Sequence, residues 1–265
     1  RYKESPLALL PANQVDNTLI SHGGLTFGGV IVDTDMTTSK IMDVFEALNK
    51  YFVKQNIDAV QYKSIPTIYQ NYPIEGDQYA LFRHNADLYR RDVTSAVPLT
   101  NKTEIKKNRQ RSINTAKESG VSIEKSNDLE RYWDILRDNL EERHDTEPVH
   151  SLEEIELLHN RFPENIQLYG AFLEDKMEAG VVVYISDDVV RTQYIAASET
   201  GREYRATDYL FAKLIQERFT SKKYLDLGIS TENEGNSLND GLVYFKETFG
   251  ARPVVHDFYN WNITE

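Results

Sequence analysis

Apolar positions along this chain alternate in short runs, then recur at three- and four-residue spacing, and the two patterns take turns from one end to the other. Ser5–Leu10 and Phe27–Val32 read as strands, and Thr37–Gln55 as an amphipathic helix that Thr37 or Thr38 can cap. Ala59–Ser64 is a predicted strand. Pro66 opens a short helix near Ile68–Tyr72, and Ala86–Val97 is a strand that Pro98 ends. Lys102–Ser119 has helical composition, Gly120 is its stop, and Val121–Lys125 is a short strand. Asn127–Glu142 reads as a helix, and Ser151-Leu152-Glu153-Glu154 matches a capping box that opens another, to about Arg161. Ile166–Leu173, Met177–Ile185 and Val189–Ala197 are strands joined by tight acidic turns. Helix Arg205–Phe219, strand Tyr224–Ile229, helix Leu238–Phe249 and strand Pro253–Trp261 complete the series.

The order strand, strand, long helix, strand, short helix, strand occurs twice, in Ser5–Val97 and in Met177–Trp261. This predicts an α/β protein of two lobes with mixed sheets, residues 1–98 and 99–265. The first lobe lacks the two helices and the strand that precede the second copy. The first residue is Arg, so the native chain is expected to begin earlier.

A length of 265 residues suits about two domains, and 40% hydrophobic with 27% charged residues is a globular mix. No apolar run is long enough to span a bilayer. Cysteine is absent, which excludes disulfides, thiolate catalysis and Cys-ligated metal, and fits a reducing, cytoplasmic location. The net charge of -12 speaks against a protein that coats nucleic acid. A local basic footprint survives in Lys102, Lys106, Lys107, Arg109, Arg111 and Lys117: either a solvated helix face or an anion site.

The densest polar cluster is Glu142–His150, between two helices. His144 and His150 there can deprotonate an amine near neutral pH. Plain loop polarity is the alternative, and metal ligation by His144, Glu147 and His150 lacks a supporting helical spacing, so no metal is expected. His22 opens the Gly-rich stretch His22–Gly29, a tight turn or a substrate-lining segment. Tyr62 ends a strand, and Arg90 and Arg91 face opposite sides of another. Lys246 follows the apolar Phe245, and an exposed helix lysine is its plain reading.

Tyr224-Leu225-Asp226-Leu227-Gly228 and Gly241-Leu242-Val243-Tyr244-Phe245-Lys246-Glu247-Thr248-Phe249-Gly250 resemble the strand end and the helix motif of the FemABX-like tandem branch of the GNAT acyltransferase superfamily. The resemblance implies two GNAT-like lobes, the first incomplete, with a substrate cleft between them. It implies an oxyanion site of backbone N–H groups where Arg191–Ala197 splays from Tyr224–Ser230. It also implies a pyrophosphate turn at Arg202-Glu203-Tyr204-Arg205-Ala206-Thr207, with Arg205 standing where the family has glycine. His150, His144 and Asp226 become candidate catalytic groups, and Arg202, Arg205, Ala206 and Thr207 candidate cofactor contacts. His22, Tyr62, Arg90, Tyr194 and Lys246 become candidate substrate contacts. The implied activity is N-acyl transfer from acyl-CoA, a co-substrate and not a resident cofactor, to a small amine such as an amino sugar or amino acid. The alternatives are aminoacyl transfer from tRNA to a cell-wall precursor, which the net charge disfavours, and a GNAT-like binding protein without catalysis.

Overall fold

The computed structural model describes residues 6–101, 103–144 and 146–264, the side chains of 143 and 144 excepted. In chain order the first elements are β1 (Ala8–Leu9), β2 (Ala12–Val15), β3 (Thr18–Ser21), β4 (Ile31–Val32), α1 (Thr38–Lys54), β5 (Ala59–Lys63), α2 (Gly76–Arg83) and β6 (Asp87–Pro98). Next come α3 (Lys107–Glu118), β7 (Ser122–Ser126), α4 (Leu129–His144), α5 (Leu152–Arg161), β8 (Ile166–Leu173), β9 (Lys176–Ile185) and β10 (Val189–Ala197). The last are α6 (Glu199–Glu203), α7 (Ala206–Lys213), β11 (Tyr224–Ile229), β12 (Thr231–Glu232), β13 (Ser237–Leu238), α8 (Asp240–Glu247) and β14 (Arg252–Asn262). The chain divides into two compact units: Arg1–Thr94 with Ser230–Asn239 and Val254–Glu265, and Ser95–Ile229 with Asp240–Pro253. Among the described residues no helix is long and apolar enough to cross a membrane.

In the first unit the strand order is β2-β3-β5-β14-β6. The parallel pair β3–β5 is joined through α1, and β14 lies antiparallel to β5 with Tyr259 opposite Tyr62. Thr37 caps α1 through the Lys40 N–H, as its position predicts, and Ile41, Phe45 and Phe52 form its buried stripe. They meet Val60, Leu81 and Trp261, and Phe45 and Trp261 stack at 5.3 Å. The β2–β3 hairpin carries no readable sequence signal because every residue of β2 is exposed, so its alternation has no apolar side. β4 is shorter than the predicted strand Phe27–Val32. Gly29 sits at φ 107 against the Tyr62 hydroxyl, where a side chain would not fit, and the chain bends instead of extending.

In the second unit β7, β8, β9 and β10 pair antiparallel in sequence, and β11 adds to β10 in parallel. The sheet is covered on both faces, which explains the continuous apolar run in β9. Val181 and Val183 face Ile113 of α3 and Leu210 and Phe211 of α7. Val182 faces Tyr132, Trp133 and Leu136 of α4 and Ile155 of α5. The capping box at Ser151 and Glu154 is complete. Helix α3 starts later than Lys102–Ser119 would suggest, because Lys106 is extended and donates its N–H to Thr248 O. The predicted helix Arg205–Phe219 runs from Ala206 and ends in a π-turn, Leu214–Arg218. The fold class is the expected mixed α/β. An antiparallel pair, a helical crossover and a parallel strand recur as β2–β3–α1–β5 and as β9–β10–α6–α7–β11.

Gly180 of β9 lies under the Tyr132 ring, and a methyl group there would overlap it. Gly180→Ala is therefore expected to lower stability by about 1–3 kcal/mol through overpacking. A urea melt with unchanged midpoint would show that the ring has room to move.

Candidate active site

β10 and β11 pair only over Val189↔Tyr224, Val190↔Leu225 and Arg191↔Asp226. Beyond Arg191, β10 continues against β9 as far as Ala197↔Ala179, with a register shift between Thr192 and Tyr194, while β11 runs on to Ile229. The two strands therefore part, and the N–H groups of β10 that point away from β9 have no acceptor on β11. At the far end of β10, Asn139 of α4 closes the account: its Nδ2 donates to Ala197 O at 2.7 Å. Arg202 Nη1 donates to the same carbonyl at 3.2 Å.

A cavity of about 440 Å³ opens here, lined by Ile195, Ala197, Gly201, Arg202, Arg205 and Thr207 on the strand and turn, and by Arg109, Asn139 and Phe245 across it. Gly201 is needed at the turn because a Cβ would overlap Glu178 O. Arg205, the residue before α7, has φ 57, the left-handed conformation that glycine adopts without strain. Its side chain is exposed and, among the described residues, has no ion pair. The first N–H groups of α7 have no intrahelical acceptor, so the helix offers a partial positive charge at the same place. Arg109 of α3 is held by Asp208 at 2.6 Å and Thr248 at 2.9 Å, and its guanidinium lies 4.5 Å from the Phe245 ring centre.

Where β11 leaves β10, two charged side chains, Asp226 and Lys246, take up its backbone polar groups. Asp226 is wholly buried, accepts from Arg191 Nη1 at 2.7 Å and from its own strand's Gly228 N–H at 2.8 Å. Lys246 of α8 is buried, and its ammonium donates to Gly228 O at 2.9 Å and Ile229 O at 2.7 Å. Burial pushes the Lys246 amine down from 10.5 to about 8, against the pull of Asp226. On the face of β10 that α4 and α5 cover, His150 Nδ1 and the Tyr194 hydroxyl are 2.5 Å apart, and Tyr194 packs edge-on against Trp133 at 5.1 Å. Burial holds the Tyr194 phenol above its ordinary value, so it stays protonated at neutral pH.

Residues 102–234 match the family model described as the acetyltransferase (GNAT) domain. The chain belongs to this GNAT family. It is accordingly an acyltransferase by family. No curated protein sequence matches it significantly. Among solved structures, FemX aligns with 96% of this chain and 88% of its own at TM-score 0.66 and 9% identity. L-PGS from Bacillus licheniformis aligns with 97% of this chain and 82% of its own at 0.66 and 12%. A tandem GNAT protein from the clavulanic acid biosynthesis pathway aligns with 94% of this chain and 76% of its own at 0.50 and 8%. These are likenesses of fold, and FemX and a tandem GNAT protein are the neighbours that the FemABX-like reading implies.

The GNAT framework brings some of the sequence candidates together. Arg202, Arg205 and Thr207 share the cavity, and Ala206 is the buried first residue of α7. His150 meets Tyr194, and Asp226 and Lys246 both serve the end of β11. Lys246 is not the exposed lysine of its plain reading, because α8 turns that side chain onto β11. His144 ends α4, and its side chain lies outside the described residues. Three candidates belong to the first unit. His22, at φ 44, packs its ring against Gly28. Tyr62 is buried and links Val30 N–H to Asp77, and Arg90 pairs with Asp92 and stacks on Phe258 at 4.6 Å. Asn139 escaped the sequence reading. Its signal was there: a polar residue three and four positions after the buried Leu136 and Ile135, on an apolar stripe of α4.

Two outcomes follow from this geometry. Arg205→Gly should keep or raise stability by up to about 1 kcal/mol, and the β-branched Arg205→Val should lower it, because only glycine takes φ 57 freely; thermal melts separate the two. Between pH 8 and 10.5 the unfolded Lys246 binds the proton that the folded one has lost, so its contribution to stability rises with pH across that window. Lys246→Met should lack this rise in denaturant melts, and parallel slopes for both proteins would contradict the assignment.

Proposed function

We propose that this GNAT protein transfers an acyl group from acyl-CoA to the amine of a small molecule such as an amino sugar or amino acid. The observation that carries the reading is the cavity at the start of α7, where Arg202, Arg205 and the first helical N–H groups converge. Guanidinium groups and a helix N-terminus together suit a pyrophosphate. The acyl carbonyl then lies in the gap between β10 and β11, and the unpaired β10 N–H groups stabilise the oxyanion. The amine nitrogen attacks the thioester carbon. Collapse of the tetrahedral intermediate breaks the C–S bond, forms the amide and releases the thiolate, which takes up a proton.

His150 is the proposed base. When its Nδ1–H donates to the Tyr194 oxygen, Nε2 carries the lone pair that accepts the amine's proton. His144, the last residue of α4, is the second candidate. Asp226, already engaged by Arg191 and Gly228, acts as a positioning residue for β11. Aminoacyl transfer from tRNA is the other reading. The exposed cations Lys107, Arg111 and Lys117 on α3 favour it, and the net charge of -12 opposes it.

Calorimetric titration with acetyl-CoA tests the donor. Saturable heat is expected, weakened about tenfold or more in Arg202→Ala/Arg205→Ala. No heat at millimolar ligand, together with a tRNA gel shift that salt abolishes, would transfer the assignment to the aminoacyl reading. His150→Ala should slow turnover by about 10²–10⁴-fold with donor affinity nearly unchanged. Wild-type turnover and pH profile in that variant would remove His150 as the base.

A further inference from the structure

The first unit holds a second cavity, of about 270 Å³, far from neutral in its design. Its walls are mainly aliphatic, with Val30, Val32, Ile41 and Ile65 among them; Tyr69 and Tyr72 also line it, and Thr34, Gln70 and Asn71 add neutral polar groups. One charged side chain opens into it, Asp77, the second residue of α2. That carboxylate is fixed in place. The Tyr62 hydroxyl donates to Oδ2 at 2.6 Å, and the Gln78 N–H donates to Oδ1 at 2.9 Å. Tyr62 is itself held by the Val30 N–H at 2.8 Å, which the close passage of Gly29 permits.

Among the described residues no cation pairs with Asp77, although the first unit places arginines on its two buried carboxylates, Arg90 on Asp92 and Arg91 on Asp257. Burial raises the Asp77 carboxyl above its ordinary value, the mark of an anion short of compensation. A half-buried carboxylate among aliphatic side chains costs free energy until a cation or a strong donor meets it. The Tyr62 and Gln78 hydrogen bonds, with one from its own backbone N–H, leave the carboxylate's four lone-pair sites not all used, so an incoming N–H group can still be accepted. The site is small, at the low end of ligand pockets, which limits the occupant to one ring or a short chain.

We propose that this cavity binds a small molecule carrying a primary ammonium on a short apolar body, with the ammonium on Asp77 and the body between the aliphatic walls. The site lies wholly within the first unit and does not rest on the acyl-transfer reading. Tyr62 acts as a positioning residue that holds the carboxylate toward the cavity.

Amide NMR titration of the full chain with benzylamine, and separately with benzyl alcohol, tests the proposal. Shifts at Val30–Val32 and Tyr69–Asp77 should saturate with benzylamine, and benzyl alcohol should bind about tenfold more weakly or worse for want of the charge. Asp77→Asn keeps an acceptor for Tyr62 and should bring the two affinities within about twofold of each other. Equal affinities in the wild-type protein would overturn the proposal without any variant. So would shifts that never saturate at the cavity, or a benzylamine preference that persists in a folded Asp77→Asn.

Discussion

The parting of β10 from β11 after Arg191 and Asp226 is the constraint on which the second unit is built. Two parallel neighbours that stop pairing leave backbone donors and acceptors inside a covered sheet, and each needs another partner or a ligand. On the β11 side the partners are charged side chains, Asp226 for the Gly228 N–H and Lys246 for the carbonyls of Gly228 and Ile229. On the β10 side Asn139 and Arg202 take the Ala197 carbonyl at the strand's end. Asn139 also accepts the Ala197 N–H through Oδ1 at 3.5 Å. The gap is therefore held open by ion pairs and an amide, and not by a missing stretch of sequence.

The same unit shows why net charge is a poor guide to a site. The chain carries a net charge of -12, yet the cavity beside the gap is lined by Arg109, Arg202 and Arg205. Arg109 is stacked on Phe245 and Phe249 and tied to Asp208, which fixes its direction. Arg205 is the exposed counterpart, on a backbone in the left-handed conformation that glycine adopts without strain. Two of the three are already paired at contact distance, Arg109 with Asp208 and Arg202 with Glu142 at 3.2 Å, so the local balance of charge is set by these few neighbours and not by the whole chain.

The two units share a local order of strands and crossovers and differ in their chemistry. In the first, the crossover helix α1 joins β3 to β5, and the cavity nearby is mainly apolar with Asp77 as its one charged side chain. In the second, the corresponding crossover carries arginines at the start of α7 and faces the splayed strands. One scaffold thus presents an anion in one place and cations in the other. The two sites also differ in place: Asp77 lies on α2, beyond the crossover and β5, whereas Arg202 and Arg205 lie within the crossover itself.

Much of the molecule was legible from the chain alone. Period-two and period-3.6 patterns gave β8, β10 and β11 to the residue, and the Thr37 cap and the Ser151 capping box are local chemistry that needs no tertiary partner. The strand-end and helix motifs pointed to the GNAT family and to the pair of strands that parts. The hairpin β2–β3 was illegible because neither face of β2 is buried, so its sequence is under no apolar constraint. The burial of Lys246, the meeting of His150 with Tyr194 across 44 positions, and the bracketing of Ala197 by Asn139 were decided by tertiary structure. The physical reason is common to all three. A sequence pattern records which side of an element faces the core, but the partner of a buried polar group is chosen by whichever element packs there, and that element is remote in the chain.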